Sequence, residues 1–343
     1  MQQFKVGIVG CGGISSVHIP ALMETEGVTI AAVCDTDPAR ARAAAEATGA
    51  VVERDFDAMI ARADIDAVHL LTPHHLHAPM AIAALAAGKH VLTEKPMATT
   101  LSDARAMIAA ARTSAGRLGV IFQNRYNPAT IELKRLILSG AGGAFLGARV
   151  IVNWRRDAAY YTQSGWRGFY ATEGGGVLIN QAIHTLDLAG YIPGRAVARV
   201  RGHISTDILS DVIEVESACH AVAEYEGGGR LIIHATNDYA FDAPVILEMA
   251  CENRRWQIIG DELYDATDGM RLLLGGEEPS VSGKAYWGAN HAIQIRDFYD
   301  CIVTGRAFLL DGAAGYPALN LVKAIHLSAQ TGDWVALDDP KEL

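Results

Sequence analysis

Four polar side chains have the types and spacing needed to handle a hydroxyl group. Lys95 follows the apolar run HVLT in the segment EKP, whereas Asn180, His184 and Asp187 share the segment LINQAIHTLDL. The spacing i, i+4, i+7 places the last three on one face of a helix. A histidine of ordinary pKa, about 6.5, is a base near neutral pH, and a lysine can donate a hydrogen bond to an oxygen. We therefore expect proton transfer at a hydroxyl group.

The helix that carries these three residues is otherwise apolar, so a polar face turned to water explains its pattern poorly. A run of glycines, residues 174–176, stands directly before it and permits close approach of a ligand to the backbone. We expect this helix face to line a binding site.

A glycine-rich turn near the start of the chain has the form of a nucleotide-binding turn. Gly10, Gly12, Gly13 and Ile14 follow an apolar strand and precede a helix, and Ser15 replaces the usual third glycine. A serine is small enough to keep helix and strand close. The pattern predicts that a pyrophosphate binds at the helix N-terminus.

Asp35 ends the second apolar strand, where a carboxylate would bind the 2′-hydroxyl of an adenosine ribose. The same charge would repel the 2′-phosphate of NADP, and no arginine directly follows Asp35. The sequence therefore predicts NAD rather than NADP.

Two further strands end in polar turns at the carboxyl edge of the same sheet, where open α/β folds bind their ligands. We expect Thr72, Pro73, Glu94 and Lys95 in these turns to contact the cofactor. The bond from Lys95 to the following proline can be cis, which would aim the lysine into a cleft.

His69, His74, His75 and His77 cluster around the first of these turns. No cysteine, aspartate or glutamate stands nearby at ligand spacing, so we predict solvent-facing histidines at a helix start and no metal site. We expect His77 to contact the cofactor.

The loop WRRDAAYYTQSGWRGFY precedes the glycine run and is rich in aromatic and cationic residues. Tyr160 and Trp166 offer flat apolar faces with polar edges, which suit a sugar ring. Among the cations of the loop, Arg167 is the one we expect to bind cofactor or substrate.

Length and composition fit a globular protein of about two domains. The formal charge of −10 at 343 residues argues against a nucleic-acid partner. Five scattered cysteines without a C-x-x-C pair predict reduced thiols.

No apolar run reaches the length of about 18 residues expected of a membrane span, and the first residues predict a strand rather than a signal peptide. We therefore expect a cytoplasmic protein without membrane contact.

The first third of the chain alternates apolar strands with alanine-rich helices, which indicates a parallel sheet covered on both faces, a doubly wound α/β domain. The predicted strands are 4–9, 28–34, 67–71, 90–93 and 119–122, and the predicted helices are 15–25, 38–48, 56–62, 75–87 and 101–115.

The pattern changes near residue 123, which divides the chain into a nucleotide-binding domain, 1–122, and a substrate-binding domain, 123–343. Alternating strands follow one another in the second part, which predicts an α+β domain with a largely antiparallel sheet. The main predictions here are helices 128–139, 175–191, 289–304 and 317–330 and strands 145–154, 211–225 and 231–239, with glycines 227–229 forming a hairpin turn. In strand 211–225 the alternation puts Glu214, Glu216, His220 and Glu224 on the polar face.

The ordered motifs GIVGCGGIS, AAVCDTDP, TPHHLHAPMAIAALAAGKHV, EKP and GGGVLINQAIHTLDL resemble the glucose-fructose oxidoreductase, inositol dehydrogenase and rhizopine catabolism family, from Phe4 to about Leu337. The resemblance implies an N-terminal Rossmann domain, a C-terminal domain whose open sheet packs in homodimers or homotetramers, and NAD(P)-dependent chemistry on sugars, sugar derivatives or cyclitols. The lysine of the family's EKP motif falls on Lys95 and its helix histidine on His184. Its aspartate falls on Asn180, which cannot take a proton.

Together, residues and resemblance predict a dehydrogenase in which His184 takes the hydroxyl proton, Asp187 helps to orient it, and Asn180 and Lys95 hold the reacting hydroxyl. Tyr160 and Trp166 complete the predicted substrate site. A reversal that makes Lys95 the base stays open. Two alternatives also stay open: a glycosidase that uses NAD for transient oxidation and elimination, and a non-enzymatic NAD(H)-responsive regulator.

Overall fold

A computed structural model describes residues 3–206, 208–276 and 290–338, and these residues form two compact units. The first contains residues 3–123 and 290–316, and the second contains the remaining described residues. Residues 290–316, which the sequence boundary assigns to the second domain, therefore belong with the first unit. Ala289, the first residue of the predicted helix 289–304, lies outside the described residues.

The first unit is a parallel six-stranded sheet with helices between its strands, which confirms the predicted doubly wound fold. Its strands are β1 Phe4–Val9, β2 Val28–Cys34, β3 Val51–Val52, β4 Ala67–Leu70, β5 His90–Thr93 and β6 Leu118–Val120. Its helices are α1 Ser15–Met23, α2 Pro38–Thr48, α3 Phe56–Ala61, α4 His74–Ala86 and α5 Leu101–Thr113. The strand order is β3-β2-β1-β4-β5-β6, so the order reverses between β1 and β4. Ligands of such sheets bind at the carboxyl ends of those two strands.

A late helix completes the first unit. This helix, which becomes α9 in chain order, spans His291–Thr304. Gln294 is fully buried there, and its side-chain amide accepts from the backbone N–H of Phe122 and donates to the carbonyl of Val120. Ile295 and Phe298 on the same helix are also fully buried. These contacts tie the helix to the end of β6, and the sequence did not predict them.

The second unit is built on a nine-stranded sheet that is antiparallel except where β7 and β10 pair in parallel. Its strands are β7 Phe145–Asn153, β8 Val197–Ser205, β9 Ala218–Tyr225, β10 Arg230–Thr236, β11 Ile246–Cys251, β12 Arg255–Ile259, β13 Glu262–Asp265, β14 Arg271–Leu274 and β15 Val335–Ala336. Its helices are α6 Pro128–Leu138, α7 Ala158–Thr162, α8 Ile183–Tyr191 and α10 Tyr316–Thr331, of which α10 begins at the last residue of the first unit. The largely antiparallel sheet and the hairpin at glycines 227–229 are confirmed.

The predicted strand 211–225 is wrong in its first half, since β9 begins only at Ala218. Leu209, Ile213 and Val215 instead pack in a small apolar cluster with Tyr161. Glu216, predicted on the polar face, is 1% exposed, and its backbone and side-chain oxygens accept from the N–H groups of residues 177 and 178. The alternation of apolar and polar residues thus extends through residues 211–217, which are not part of a strand.

Candidate active site

The glycine turn closes tightly over the end of β4. Gly10 has a left-handed φ of +94°, and a Cβ there would lie 2.6 Å from the carbonyl oxygen of Leu71. Gly12 and Gly13 have no atom within 4 Å of the place where a Cβ would stand, so the outer side of the turn is open. Only glycine fits the first position, and the other two leave the backbone accessible to a ligand.

Asp35 binds the same turn from the end of β2. Its carboxylate accepts from the backbone N–H of Cys11 at 2.6 Å and from that of Asp37 at 2.7 Å. Each carboxylate oxygen has a second lone pair, so the group can still accept from a ribose hydroxyl. A negative charge here also disfavours a 2′-phosphate, as the sequence predicts.

Thr72 and Pro73 lie at the end of β4, next to the glycine turn. The hydroxyl oxygen of Thr72 is buried and has no hydrogen-bond partner among the described residues. A buried hydroxyl at the point where the strand order reverses indicates a place for a ligand. With the open glycine turn and Asp35, the residues present fit a dinucleotide.

Lys95 is half-buried at the end of β5, and its peptide bond to Pro96 is cis. The preceding residue, Glu94, accepts a hydrogen bond from the Lys95 backbone N–H at 3.2 Å. Glu94 is 7% exposed, so the carboxylate and the lysine backbone form one buried turn.

A chain of buried side chains leads from Glu94 through α1 and β4 to α9. His18 Nε2 lies 2.9 Å from Glu94 Oε1, His18 Nδ1 lies 3.0 Å from His69 Nδ1, and His69 Nε2 lies 2.9 Å from the Tyr299 hydroxyl. Burial lowers the pKa of His18 and lowers that of His69 well below its usual value. Although burial raises it, hydrogen bonds from His18 and His291 hold the pKa of Glu94 well below its usual range.

One arrangement of protons satisfies this chain with both histidines neutral and Glu94 ionised. The Tyr299 hydroxyl donates to His69, His69 donates to His18, and His18 donates to Glu94. Glu94 is therefore a buried anion beside Lys95. His18, Glu94 and His291 also bring three possible metal-ligand atoms within 4.8 Å of one another, a grouping that the sequence did not suggest.

The histidines predicted to face solvent are mostly buried, so that expectation is wrong. His69 and His77 are fully buried and His74 is 4% exposed. The ring nitrogens of His77 lie 2.7 Å from the carbonyl oxygen of Pro96 and 2.8 Å from that of Thr72. His77 thus joins the two strand-end turns, and its contact with the cofactor stays a prediction.

In the second unit, the predicted helix 175–191 consists of a π-helical turn, Leu178–Ala182, followed by α8. Between residues 177 and 189, Asn180 and His184 are the two that are half-buried, and the others are buried. The two side chains therefore mark one accessible place on an apolar helix. A π-helical turn inside a helix is frequent at functional sites.

Asp187 lies one turn further and has a different environment. Both of its oxygens accept from the Arg125 guanidinium, at 2.8 Å and 2.6 Å, in a bidentate pair. The side chain of Asp187 is 2% exposed. The role predicted for it in orienting His184 stays a prediction, and the pair with Arg125 was not foreseen.

The glycine run before this helix is used within the protein. A Cβ on Gly175 would lie 2.7 Å from the His326 ring, and one on Gly176 would lie 1.9 Å from the Glu216 carbonyl oxygen. His326 Nε2 lies 3.1 Å from Glu216 Oε2, and burial lowers the pKa of Lys323, which binds the Gly174 carbonyl, to about 8. These glycines permit close packing of the helix start against other segments of this unit, rather than the approach of a ligand.

The aromatic loop supplies three of the predicted contact residues. The Arg167 guanidinium lies 4.4 Å from the centre of the Tyr160 ring and 4.8 Å from that of Trp166. The Tyr160 hydroxyl accepts from Asn180 Nδ2 at 3.3 Å and from Gln181 Nε2 at 3.1 Å. Tyr160 and Arg167 therefore belong to the surroundings of Asn180, and their contacts with substrate or cofactor stay predictions.

Comparison with known proteins gives the same assignment for both units. The family model described as "Oxidoreductase family, NAD-binding Rossmann fold" matches residues 4–122, and that described as "GFO/IDH/MocA C-terminal domain" matches residues 130–263. The chain is 32% identical to levoglucosan dehydrogenase of Pseudarthrobacter phenanthrenivorans, over 98% of each sequence. It is 28% identical to D-apiose dehydrogenase of Paraburkholderia graminis, over 98% of this chain and 90% of that one.

Among solved structures, the WlbA dehydrogenase of Bordetella pertussis, in complex with NADH and UDP-GlcNAcA, matches with a TM-score of 0.87 and 30% identity, over 98% of this chain and 100% of that one. The names of these relatives favour a dehydrogenase over the NAD-dependent glycosidase and the non-enzymatic regulator. Across the described residues, no helix is both long and apolar enough to cross a membrane.

Proposed function

Because the chain belongs to the Gfo/Idh/MocA family of NAD-dependent oxidoreductases, we propose that it oxidises a secondary alcohol of a sugar, a sugar derivative or a cyclitol. The observation that carries the proposal is the accessible pair Asn180 and His184 on an otherwise buried helix. In the other unit, the open glycine turn with Asp35 supports NAD as the cofactor.

We propose the following roles for the side chains. NAD held by the glycine turn and Asp35 would supply the acceptor for the hydride of the carbinol carbon. His184 takes the hydroxyl proton as general base, while Lys95 and Asn180 donate hydrogen bonds to the same oxygen and hold it in place. Asp187, bound on both oxygens by Arg125, helps to orient His184.

The cofactor and substrate contacts follow the same proposal. Gly10, Gly12, Gly13 and Ile14 bind the pyrophosphate, and Asp35 binds the adenosine ribose. Thr72, Pro73, His77, Glu94 and Arg167 are the further cofactor contacts that we propose. Tyr160 and Trp166 face a sugar ring, because rings stack well on flat aromatic faces.

A homodimer or homotetramer is part of the proposal. In β9, β10 and β11 alternate residues are buried, and the residues between them are partly or fully exposed. That second face includes Val222, Ile232, Ile151 and Ile246, so a partner would cover apolar surface.

We also place the protein in the cytoplasm, where its five free and buried cysteines would stay reduced.

The test is a panel of pyranosides, nucleotide-sugars and inositols incubated with the enzyme and NAD at several pH values, read at the NADH absorbance band. We expect NADH to accumulate with at least one compound and NAD to be preferred to NADP. Free sugar released without net NADH would indicate the glycosidase instead. Cofactor binding without turnover of any compound would indicate the regulator.

A further inference from the structure

Three histidines lie side by side on three neighbouring strands of the second unit. His203 of β8 stands opposite His220 of β9, and His220 stands opposite His234 of β10. Residues directly opposite each other on antiparallel strands turn their side chains to the same face of a sheet. The three imidazoles therefore form one line across the sheet, the histidine row. The sequence does not reveal this row, because the register between strands is not visible along the chain.

The histidine row belongs to the open face of the sheet, the face that a second copy is proposed to cover. His203 and His220 are exposed and His234 is half-buried, whereas the neighbouring Cys219 and Ile233 are buried on the other face. The Nδ1 atoms of His220 and His234 lie 3.2 Å apart. An imidazolium donates from both nitrogens and accepts at neither, so this contact excludes two charged rings.

The row continues across the sheet as apolar side chains. His234 stands beside Ile151 of β7, and Ile151 stands beside Ile246 of β11. Ile246 in turn stands beside Ile259 of β12, and Ile232, two residues from His234, is 42% exposed. Neutral imidazoles are compatible with an apolar contact at this place. Imidazolium ions are not, because covering them removes their hydration.

The charged groups on the open face do not neutralise the row. Arg201 of β8 stands two residues from His203 and is itself a cation. The glutamates of the central strands are paired: Glu224 with Arg199 and Arg230, and Glu248 with Arg149 and Arg255. Two further acids of this face lie away from the histidines: Glu262 ends the row on β13, and Asp238, beyond the end of β10, accepts from the Ser217 hydroxyl.

Burial lowers the pKa of His234, and the neighbouring His220 lowers it further. Imidazoles gain a proton near pH 6.5, so acidification below neutrality adds positive charges that stand directly opposite one another. A second copy that covers the row raises the cost of each charge. The free chain therefore binds more protons than the assembled chain, and association weakens as the pH falls.

A second copy is the occupant that the open face favours. The face carries both signs of charge in pairs, such as Arg149 with Glu248 and Arg199 with Glu224. Two identical faces related by a twofold axis can place these opposite charges against each other, and their isoleucines can meet. A strongly acidic or strongly basic partner would find no matching field on this face.

We propose that the open face binds a second copy of the chain only while the histidine row is neutral, so that the assembly forms above about pH 7 and opens as the pH falls toward 6. The inference rests on the assembly given under the proposed function. It requires no covalent step, since the imidazoles exchange protons with water.

The charge of the whole chain acts in the opposite direction. It is −10 at pH 7 and falls toward zero near the pI of 5.6, so repulsion between two copies decreases on acidification. Opening of the assembly between pH 8 and pH 6 would therefore point to a local cause such as the row.

The first test is analytical ultracentrifugation of the full chain at pH 8, 7 and 6, at constant ionic strength and with EDTA present. For the wild type we expect the dissociation constant of the assembly to be at least about tenfold higher at pH 6 than at pH 8. In the double variant His220→Gln and His234→Gln, the two values should differ less than about threefold, because the amides do not titrate.

The matched control is His75→Gln, a change at a half-buried histidine of the first unit, which should keep the pH dependence of the wild type. A wild-type assembly that is equally stable at both pH values would overturn the inference, and so would a double variant that still opens at pH 6.

A second measurement serves if the assembly is too tight for sedimentation. Chains labelled with a fluorescence donor are mixed with chains labelled with an acceptor, and the rate of subunit exchange is followed by energy transfer. We expect exchange of the wild type to be at least about tenfold faster at pH 6 than at pH 8, and that of the double variant to differ less than about threefold. Equal rates in the wild type overturn the inference and leave the assembly in place. A wild type that is monomeric at pH 8 refutes the assembly as well. Neither readout requires turnover of a polyol.

Discussion

Glu94 and Glu173 are both buried glutamates, and their surroundings move their pKa values in opposite directions. Burial raises the pKa of each. Glu94 accepts hydrogen bonds from two imidazoles, of His18 and His291, so its pKa ends well below the usual range. Glu173 receives hydrogen bonds from neutral amides, and these offset burial only in part. The nature of the donor thus decides which carboxyl stays ionised.

The raised pKa of Glu173 predicts a loss of stability as pH rises. The folded state holds this proton up to pH about 7 and the unfolded state only to about 4.5, so the stabilisation is present below 4.5 and is lost as pH rises through 7. We expect the free energy of unfolding of Glu173→Gln, relative to wild type, to rise by about 1–3 kcal/mol between pH 4.5 and 8.

Urea unfolding followed by tryptophan emission measures this difference in the second unit, because residues 1–123 and 290–316 contain no tryptophan. Glu226→Gln, a change at an exposed glutamate of the same unit, should show no such rise. An equal difference between Glu173→Gln and wild type at both pH values would contradict the raised pKa.

The roles of some site residues can be predicted from the local sequence, whereas those of others depend on partners that are distant in the chain. Asp35 was predictable, because its place follows from the strand before it. The role of Asp187 was not, since Arg125, its partner, stands 62 residues away and no local pattern links the two. Glu173 was missed for the same reason: its burial depends on Gly168, Asn180 and packing that the sequence does not display.

At the scale of elements, the helices and five of the six strands in the first unit were predicted to within about two residues, because their apolar runs are bounded by glycine, proline or capping residues. Asp37, for example, caps α2 by accepting from the N–H of Ala39, and Gly49 ends it in a left-handed conformation. The two-residue strand β3 was missed. The first part of the strand predicted at 211–225 is wrong, because alternation alone does not require a neighbouring strand. The N–H groups at the start of the Asn180 helix bind that segment instead.

His77 joins two elements, and its removal should weaken the edge of the first sheet. In His77→Ala the carbonyl groups of Thr72 and Pro96 lose their buried contact, which should cost about 1–3 kcal/mol of stability and weaken NAD binding. Thermal unfolding and calorimetric NAD titration measure the two effects. His75→Ala, a change at a half-buried neighbour, is the control and should alter both less. Unchanged NAD affinity and melting temperature in His77→Ala would refute the joining role.

At the scale of the whole molecule, the chain passes from the first unit to the second, returns to the first for residues 290–316 and then enters the second again. The composition, the charge and the order of motifs were sufficient to predict the class of each unit. The return of residues 290–316 to the first unit was not predictable, because an amphipathic helix pattern shows which face is buried and not against which element.

The open face of the second sheet predicts an assembly. Ile232 is 42% exposed at its centre, so Ile232→Glu should place a charge in the proposed interface. Sedimentation of the wild type should give a dimer or tetramer of the 36.6 kDa chain, and that of Ile232→Glu a smaller species. Ile131→Glu, at an exposed position of α6, is the control. A wild type that sediments as a monomer would contradict the proposal.

The most direct test of the central claim is turnover in Lys95→Ala and His184→Ala, measured as NADH formed from a polyol that the wild type oxidises. We predict that each variant stays folded and binds NAD, and that kcat falls about 10²- to 10⁴-fold, because each loses a group that handles the reacting hydroxyl. Near-normal kcat in both folded variants would contradict the assignment of this site.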